Sequence, residues 1–171
     1  SLAEIATSVL ASCPDTERAL DAGCGTGFLA SSLQGCQTYG IDSSPIARDI
    51  WQMDGTRNTS SASVDALPFL GNQFDLAFCI DVIYHRDIRS DANALSEVYR
   101  VLRPGGKLLL HTSAFEFLRN QHDDNVHTAR RYTQTQVRQI LTQAGFVVST
   151  LSYRNLIVLP RLQSFFYWEA L

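Results

Sequence analysis

The stretch Arg18-Ala-Leu-Asp-Ala-Gly-Cys-Gly-Thr-Gly27 decides the fold. Its first half is apolar enough for a buried strand, and its second half repeats glycine in a G-x-G-x-G spacing. Glycines after a strand let the backbone approach a ligand closely. They also open a helix whose N-terminal amides favour an anionic group. The stretch therefore predicts a strand, a ligand-binding turn and a helix, in that order.

An acidic residue at the end of the next predicted strand supports a nucleoside ligand. The run Thr38-Tyr-Gly-Ile-Asp42 predicts that strand, and Asp42 lies about 20 residues after the glycine turn, where an acid can accept hydrogen bonds from ribose hydroxyls. The turn departs from the dinucleotide fingerprint, because Phe28 stands where that fingerprint has its third glycine. We therefore predict an adenosine-containing ligand that is not NAD.

The rest of the chain alternates apolar runs with helical patterns, which predicts an α/β fold with a doubly wound, Rossmann-like sheet. No repeat or linker interrupts this pattern, so we predict a single domain over residues 1–171. Further strands are predicted within 56–66 and at 74–80, 107–111 and 146–153, and helices at 2–11, 27–33, 91–102, from 44–45 and from 133 to about 145.

Composition excludes several classes of protein. The 171 residues are 45% hydrophobic and 18% charged with a net charge of −3, which argues against disorder and against nucleic-acid binding through a basic face. The four cysteines form no C-x-x-C pair, no targeting signal precedes the first element, and no apolar run is long enough to span a bilayer. We therefore expect a reduced, cytoplasmic setting. The chain begins with Ser1 instead of Met, so truncation at either end stays open.

A series of downstream motifs follows the glycine turn. In chain order they are Ala66-Leu-Pro-Phe69, Gln73-Phe-Asp-Leu76, Ile80-Asp81, Tyr84-His85, Val101-Leu-Arg-Pro-Gly-Gly-Lys107, Arg130-Arg-Tyr-Thr133 and Gln143-Ala-Gly-Phe146. Together with Asp21 and the turn, they resemble the class I S-adenosylmethionine-dependent methyltransferases, in the branch called methyltransferase type 11. The resemblance covers roughly residues 17–160.

The resemblance implies S-adenosylmethionine as cofactor and S-adenosylhomocysteine as product. It implies that Asp21 and the glycine turn face the methionine part, that Asp42 and Ser43 face the ribose and adenosine, and that the end of the fourth strand lies beside the reactive methyl group. Family members often place an Asp against the adenine where this chain has Ser63. The implied cofactor-binding residues are Asp21, Gly23, Cys24, Gly25, Gly27, Asp42, Ser43, Ser63, Val64, Ile80 and Asp81.

The substrate side is less determined. His85 is a candidate general base because imidazole changes protonation near neutral pH, but the matching family histidine is often structural. Candidate acceptor contacts are Tyr84, His127, Arg131 and Tyr132. Arg131 and Tyr132 are equally compatible with an ion pair and with packing. The run from His122 to His127 contains metal-ligand types, yet a loop over the pocket is the preferred interpretation, and no metal is predicted.

The apolar run at 156–168 predicts packing on the core more strongly than contact with a membrane or a lipid-like substrate. The pattern predicts no strand after it, so either the chain is truncated at its C-terminus or the sheet lacks the family's last strand.

We therefore predict methyl transfer to an unidentified acceptor, either a small molecule or lipid-like. Two alternatives stay open: a non-catalytic cofactor-binding module acting through a partner, and a nicotinamide-dependent oxidoreductase. The sequence leaves the oligomeric state undetermined.

Overall fold

A computed structural model describes residues 2–55, 58–119, 121–125, 127–154 and 165–170. The strands are β1 (Arg18–Ala22), β2 (Gln37–Asp42), β3 (Thr59–Ser61), β4 (Phe74–Ile80), β5 (Leu102–His111), β6 (Val148–Arg154) and β7 (Phe165–Ala170). The helices are α1 (Leu2–Ala11), α2 (Phe28–Ser32), α3 (Pro45–Asp54), α4 (Asp91–Val101), α5 (Gln121–Asn125) and α6 (Gln134–Ala144), with a 3-10 turn at Glu116–Leu118.

The strands form one sheet in the order β3-β2-β1-β4-β5-β7-β6. The neighbouring pairs from β3 to β5 are parallel, and β7 is antiparallel to both β5 and β6. The strand order therefore reverses between β1 and β4, which is where open α/β sheets bind ligands beyond the carboxyl ends of their strands. The predicted α/β, doubly wound fold is confirmed.

Both faces of the sheet are covered by apolar side chains. Leu20, Ala77 and Leu108 pack with the buried residues of α4 and α6. Their chain neighbours Ala19, Leu76 and Leu109 point to the opposite face and pack with Ala6 and Val9 of α1. This alternation follows from the two-residue period of a strand. It explains why the central strands read as continuous apolar runs.

The prediction that the last strand is missing is wrong, because Phe165–Ala170 forms β7. It lies between β5 and β6, with Leu108 opposite Ala170 and Leu151 opposite Trp168. Aromatic residues favour strands. The run has no polar alternation, so the sequence pattern did not distinguish a strand from a buried tail. The remainder of the predicted tail, 155–164, lies outside the described residues.

Smaller differences concern element ends. The predicted third strand is present as the short β3. The fifth strand begins at Leu102 instead of Lys107, with a register irregularity opposite Phe74 and Leu76. The short helix α5 has no counterpart among the predicted elements. Across the described residues, no helix has the length and apolar character needed to cross a bilayer.

Candidate active site

A cleft of about 450 Å³ lies at the carboxyl edge of the sheet, where β1, β2 and β4 end. Several sequence-predicted residues meet there although they are far apart in the chain. Its lining consists of Gly23, Asp42, Ser43, Ser44, Pro45, Ile46, Ala62, Val64, Asp81, Val82, His85, Asp87, Ile88 and His127.

The glycine turn is fixed to the neighbouring strand and helix. The amides of Gly23 and Cys24 both donate to the Ile41 carbonyl, at 2.8 and 2.9 Å. The indole N–H of Trp51 in α3 donates to the Gly25 carbonyl at 2.9 Å. Gly23 has a φ of +87°, and a Cβ placed there would collide with Cγ2 of Val82. Only glycine fits this position, because the turn passes directly beside the segment that follows β4.

Asp42 joins the glycine turn to the start of α3. Its Oδ2 accepts a hydrogen bond from the Gly25 amide at 2.8 Å, and its Oδ1 accepts one from the Ser44 amide at 2.8 Å. Ser44 caps α3 by accepting from the Ala47 amide. A carboxylate has about four acceptor positions, so Asp42 keeps capacity for a ligand while it fixes the loop. Ser43 lies beside it, exposed in the cleft.

Asp21 is buried beneath the turn with 3% of its surface exposed, and its Oδ2 has no hydrogen-bond partner. Burial, and then the nearby charge of Asp42, raises the pKa of Asp21 to about 7. Burial, followed by the charges of the same two carboxylates, raises the pKa of the Cys24 thiol to about 12. Cys24 is therefore not a nucleophile at neutral pH.

Ser63 and Val64 lie beyond β3. Val64 is buried and lines the cleft. The Ser63 hydroxyl donates to Oδ1 of Asp65 at 2.5 Å, so a carboxylate accompanies the serine that replaces the family's usual aspartate. Sequence reasoning missed Asp65, although its carboxylate lies only two residues from the expected position.

The end of β4 carries Ile80 and Asp81, whose side chains have different surroundings. Ile80 packs against the core on the α1 face, whereas Asp81 lines the cleft. Asp81 Oδ1 lies 3.0 Å from Nδ1 of His111, the last residue of β5. Burial, and then the nearby charge of Asp81, raises the pKa of the Tyr84 phenol. Sequence reasoning missed His111. The available signal was its place at the end of an apolar strand, level with the end of β4.

The imidazoles of His85 and His127 both line the cleft, with ring centroids 5.4 Å apart. The His85 Nδ1 accepts a hydrogen bond from the Asp87 amide at 3.3 Å. The neutral His85 ring therefore carries its proton on Nε2, where it acts as a donor. Service as a base would require that bond to break, and the catalytic role of His85 stays a prediction. No group of three or more metal-binding side chains occurs within the described ranges.

Arg131 and Tyr132 have internal partners and do not line the cleft, which favours the packing alternative over acceptor binding. Arg131 Nε donates to Asp123 Oδ1 at 2.8 Å, and Arg131 also donates to the Ala114 carbonyl at 2.8 Å. The Tyr132 hydroxyl donates to Asp91 Oδ2 at 3.0 Å. Both side chains fix the segment after β5, because each would otherwise be a buried polar group without a partner.

Substituting Gly23→Ala tests the close approach of the turn. We expect the free energy of unfolding to fall by about 2–4 kcal/mol, because the new methyl group meets Val82 in a left-handed backbone. Gly35→Ala is the matched control, since Gly35 has a φ of +94° but nothing within 4 Å of the position that a Cβ would take. It should cost about 1–2 kcal/mol. Urea unfolding measures both variants, and equal losses would contradict the contact with Val82.

Substituting Arg131→Ala tests its internal role. The Arg131–Asp123 pair is 1% exposed on both sides, so we expect a loss of about 3–5 kcal/mol in unfolding free energy. Arg48→Ala is the control, because its pair with Asp49 is exposed and should contribute less than about 0.5 kcal/mol. Thermal or urea unfolding compares them. A stable Arg131→Ala protein would return this arginine to the set of acceptor contacts.

Asp21 gives the ligand-free protein a specific pH dependence. The unfolded carboxyl ionises near pH 4, whereas the folded one retains its proton to about pH 7, so the folded state binds more protons between these values. The contribution of Asp21 to the free energy of unfolding therefore decreases by up to about 4 kcal/mol as the pH rises from about 4 to 7. We expect Asp21→Asn to remove that decline in unfolding experiments across this range. Parallel pH profiles for the two proteins would contradict the assignment.

The chain matches the family described as methyltransferase domain over residues 20–110. A malonyl-[acyl-carrier protein] O-methyltransferase of Enterobacter lignolyticus is 33% identical over 104 residues, covering 59% of this chain and 41% of the relative. A tRNA U34 carboxymethyltransferase of Saccharophagus degradans is 38% identical over 109 residues, covering 57% of this chain and 32% of the relative. This chain therefore aligns with less than half of either relative.

A structural likeness agrees with the family match. The crystal structure of a SAM-dependent methyltransferase from Methanosarcina mazei superposes with a TM-score of 0.75 at 19% identity and covers 92% of both chains. At that identity the likeness shows the fold alone. The family match carries the assignment, because it spans more than half of the chain and includes the glycine turn, Asp42 and the end of β4. The chain belongs to the class I S-adenosylmethionine-dependent methyltransferases, in the type 11 branch.

Proposed function

We propose that this chain transfers the methyl group of S-adenosylmethionine to a small-molecule or lipid-like acceptor and releases S-adenosylhomocysteine. The observation that carries the proposal is the cleft at the reversal of strand order, with Gly23 and Asp42 in its lining. Such a crevice is the usual ligand position in doubly wound sheets.

The residues present fit the cofactor. The unpartnered Oδ2 of buried Asp21 provides an acceptor beneath the turn, suited to a cationic amino group. The space beside Gly23, which a side chain would block, lets backbone approach the methionine part. Asp42 has acceptor positions left for ribose hydroxyls. Ser43, Ser63 and Val64 would lie against the adenosine, with the Asp65 carboxylate behind Ser63. The turn at Cys24, Gly25 and Gly27 and the strand end at Ile80 and Asp81 complete the proposed set.

The bound cofactor supplies a methyl group already activated by its sulfonium. The protein therefore has to orient the acceptor, exclude water and accept a proton where the acceptor loses one. His85 and His127 line the cleft together with Asp81, whereas the buried Tyr84 is not among its lining residues. His85 is the proposed proton acceptor, once its bond with the Asp87 amide opens. Arg131 and Tyr132 fix the neighbouring segment and leave the acceptor contacts to the two histidines.

The size of the cleft supports a small acceptor. A volume of about 450 Å³ is in the range of small-molecule pockets, and the cofactor occupies part of it. The relatives' names give a malonyl-[acyl-carrier protein] and a tRNA as acceptors, which differ widely, so they do not select one for this chain. The net charge of −3 supports an acceptor other than nucleic acid. All four cysteines are free thiols, which supports a reduced, cytoplasmic setting.

A non-catalytic binding module is the second candidate, favoured by the serine at position 63 where the family often has an aspartate. A sheet without its last strand would also have favoured such a module, but β7 is present. Turnover with any acceptor in a broad panel, measured as release of S-adenosylhomocysteine, would exclude the module. Binding without turnover across that panel would support it.

Calorimetric titration with S-adenosylmethionine, S-adenosylhomocysteine and NADH tests the cofactor class. We expect saturable binding of both sulfur nucleosides and none of NADH. Asp42→Asn should weaken the binding of both sulfur nucleosides by about 1–3 kcal/mol, because an acceptor for ribose and for the glycine turn is lost.

Asp49→Asn is the matched control for this titration, since Asp49 is an exposed carboxylate on α3 that does not line the cleft. Its affinities should equal those of the wild-type protein. Preferential binding of NADH, or no binding of the sulfur nucleosides by a folded chain, would refute the proposed function.

A further inference from the structure

Asp81 is held through both its backbone and its carboxylate by the buried residue His111. Asp81 has a φ of +60°, and its amide donates to the His111 carbonyl at 3.0 Å. Its Oδ1 lies 3.0 Å from His111 Nδ1. The His111 side chain is 3% exposed and that of Asp81 is 32% exposed. The buried His111 therefore holds the accessible carboxylate of Asp81 in the cleft.

The cleft surrounding Asp81 favours positive charge. Among the described residues that line it are the carboxylates of Asp42, Asp81 and Asp87 and the imidazoles of His85 and His127, but no lysine or arginine. Asp42 already bonds to two backbone amides. Asp87 has a side chain that is 70% exposed, so water screens its charge. Asp81 is thus the carboxylate best placed to act on the charge of a bound ligand.

The substrate and product forms of the proposed cofactor differ in charge. S-adenosylmethionine carries a sulfonium cation, and S-adenosylhomocysteine is the neutral thioether with the same adenosine, amino and carboxylate groups. Contacts to the shared groups contribute nearly equally to both affinities. A fixed carboxylate in the cleft instead contributes more to the cationic form, because charges attract within a partly desolvated site.

We propose that Asp81, positioned by His111, strengthens the binding of S-adenosylmethionine to the cleft relative to that of S-adenosylhomocysteine. The proposal rests on the proposed function, since it concerns the same site. Asp81 is the group that faces the ligand, and His111 is a positioning residue that acts through it. Loss of the sulfonium charge on methyl transfer then removes this attraction, which favours exchange of product for a new cofactor molecule.

Calorimetric dissociation constants for both ligands test the proposal through their ratio. We expect Asp81→Asn to lower the preference for S-adenosylmethionine about tenfold, which is about 1.4 kcal/mol, while the affinity for S-adenosylhomocysteine changes less than about threefold. His111→Leu should lose part of the same preference, because the carboxylate is no longer directed. His111→Asn should retain it, because its amide supplies an N–H near the place of Nδ1.

Controls separate positioning from folding. Asp87→Asn removes an exposed carboxylate from the same cleft and should leave the ratio within about twofold. Thermal unfolding reports whether each variant folds. If His111→Leu does not fold, Asp81→Asn and His111→Asn still decide the proposal, because the first should lower the ratio and the second should leave it near the wild-type value.

The contrary outcomes are distinct. An unchanged ratio in Asp81→Asn, or an equal loss of affinity for both ligands, overturns this proposal and leaves the proposed function standing. Identical ratios in His111→Leu and His111→Asn overturn the positioning role of His111. If the wild-type chain binds neither ligand, the proposed function fails and this proposal fails with it.

Discussion

The hydrogen bonds of the Asp42 carboxylate are the constraint on which the site depends. One oxygen accepts from Gly25 in the turn after β1, and the other accepts from Ser44 at the start of α3. A single side chain at the end of β2 therefore fixes two loops relative to each other. Trp51 reinforces the same link from α3. The cleft keeps its shape because these loops cannot move independently, and Asp42 retains acceptor capacity in the lining of the cleft.

This constraint concentrates negative charge and accounts for the electrostatics of the site. Burial raises the pKa of Asp21 and the charge of Asp42 raises it further, which means that the ligand-free site does not favour a second buried charge. Asp81 adds another carboxylate to the lining of the cleft. A ligand with cationic groups relieves this repulsion, so the features that weaken the ligand-free protein are those that favour a positively charged cofactor.

Two arginines near the cleft stabilise the fold instead of contributing to the cleft lining. Arg131 pairs with Asp123 inside the protein, and the Arg130 guanidinium donates to the Ile88 carbonyl. From the sequence alone, the adjacent Arg130 and Arg131 could be interpreted as an anion-binding pair. In the structure, both instead fix the segment after His127. The cleft nearby has imidazoles and carboxylates in its described lining instead. Residue type alone does not reveal this division, since the same guanidinium suits a ligand or a buried aspartate equally well.

The sequence by itself determined the strands and helices from α1 to β6 apart from the short α5, together with the glycine turn and the acid at the end of β2. These features depend on local periodicity and on backbone conformations that few residues adopt, and both can be recognised from residues that are close together in the sequence. Only the tertiary structure placed β7 between β5 and β6, gave Arg131 and Tyr132 internal partners, and brought His111 against Asp81. Parallel pairing aligns the ends of β4 and β5 and so brings together Asp81 and His111, which are 30 residues apart in the chain and have no local signature of their contact.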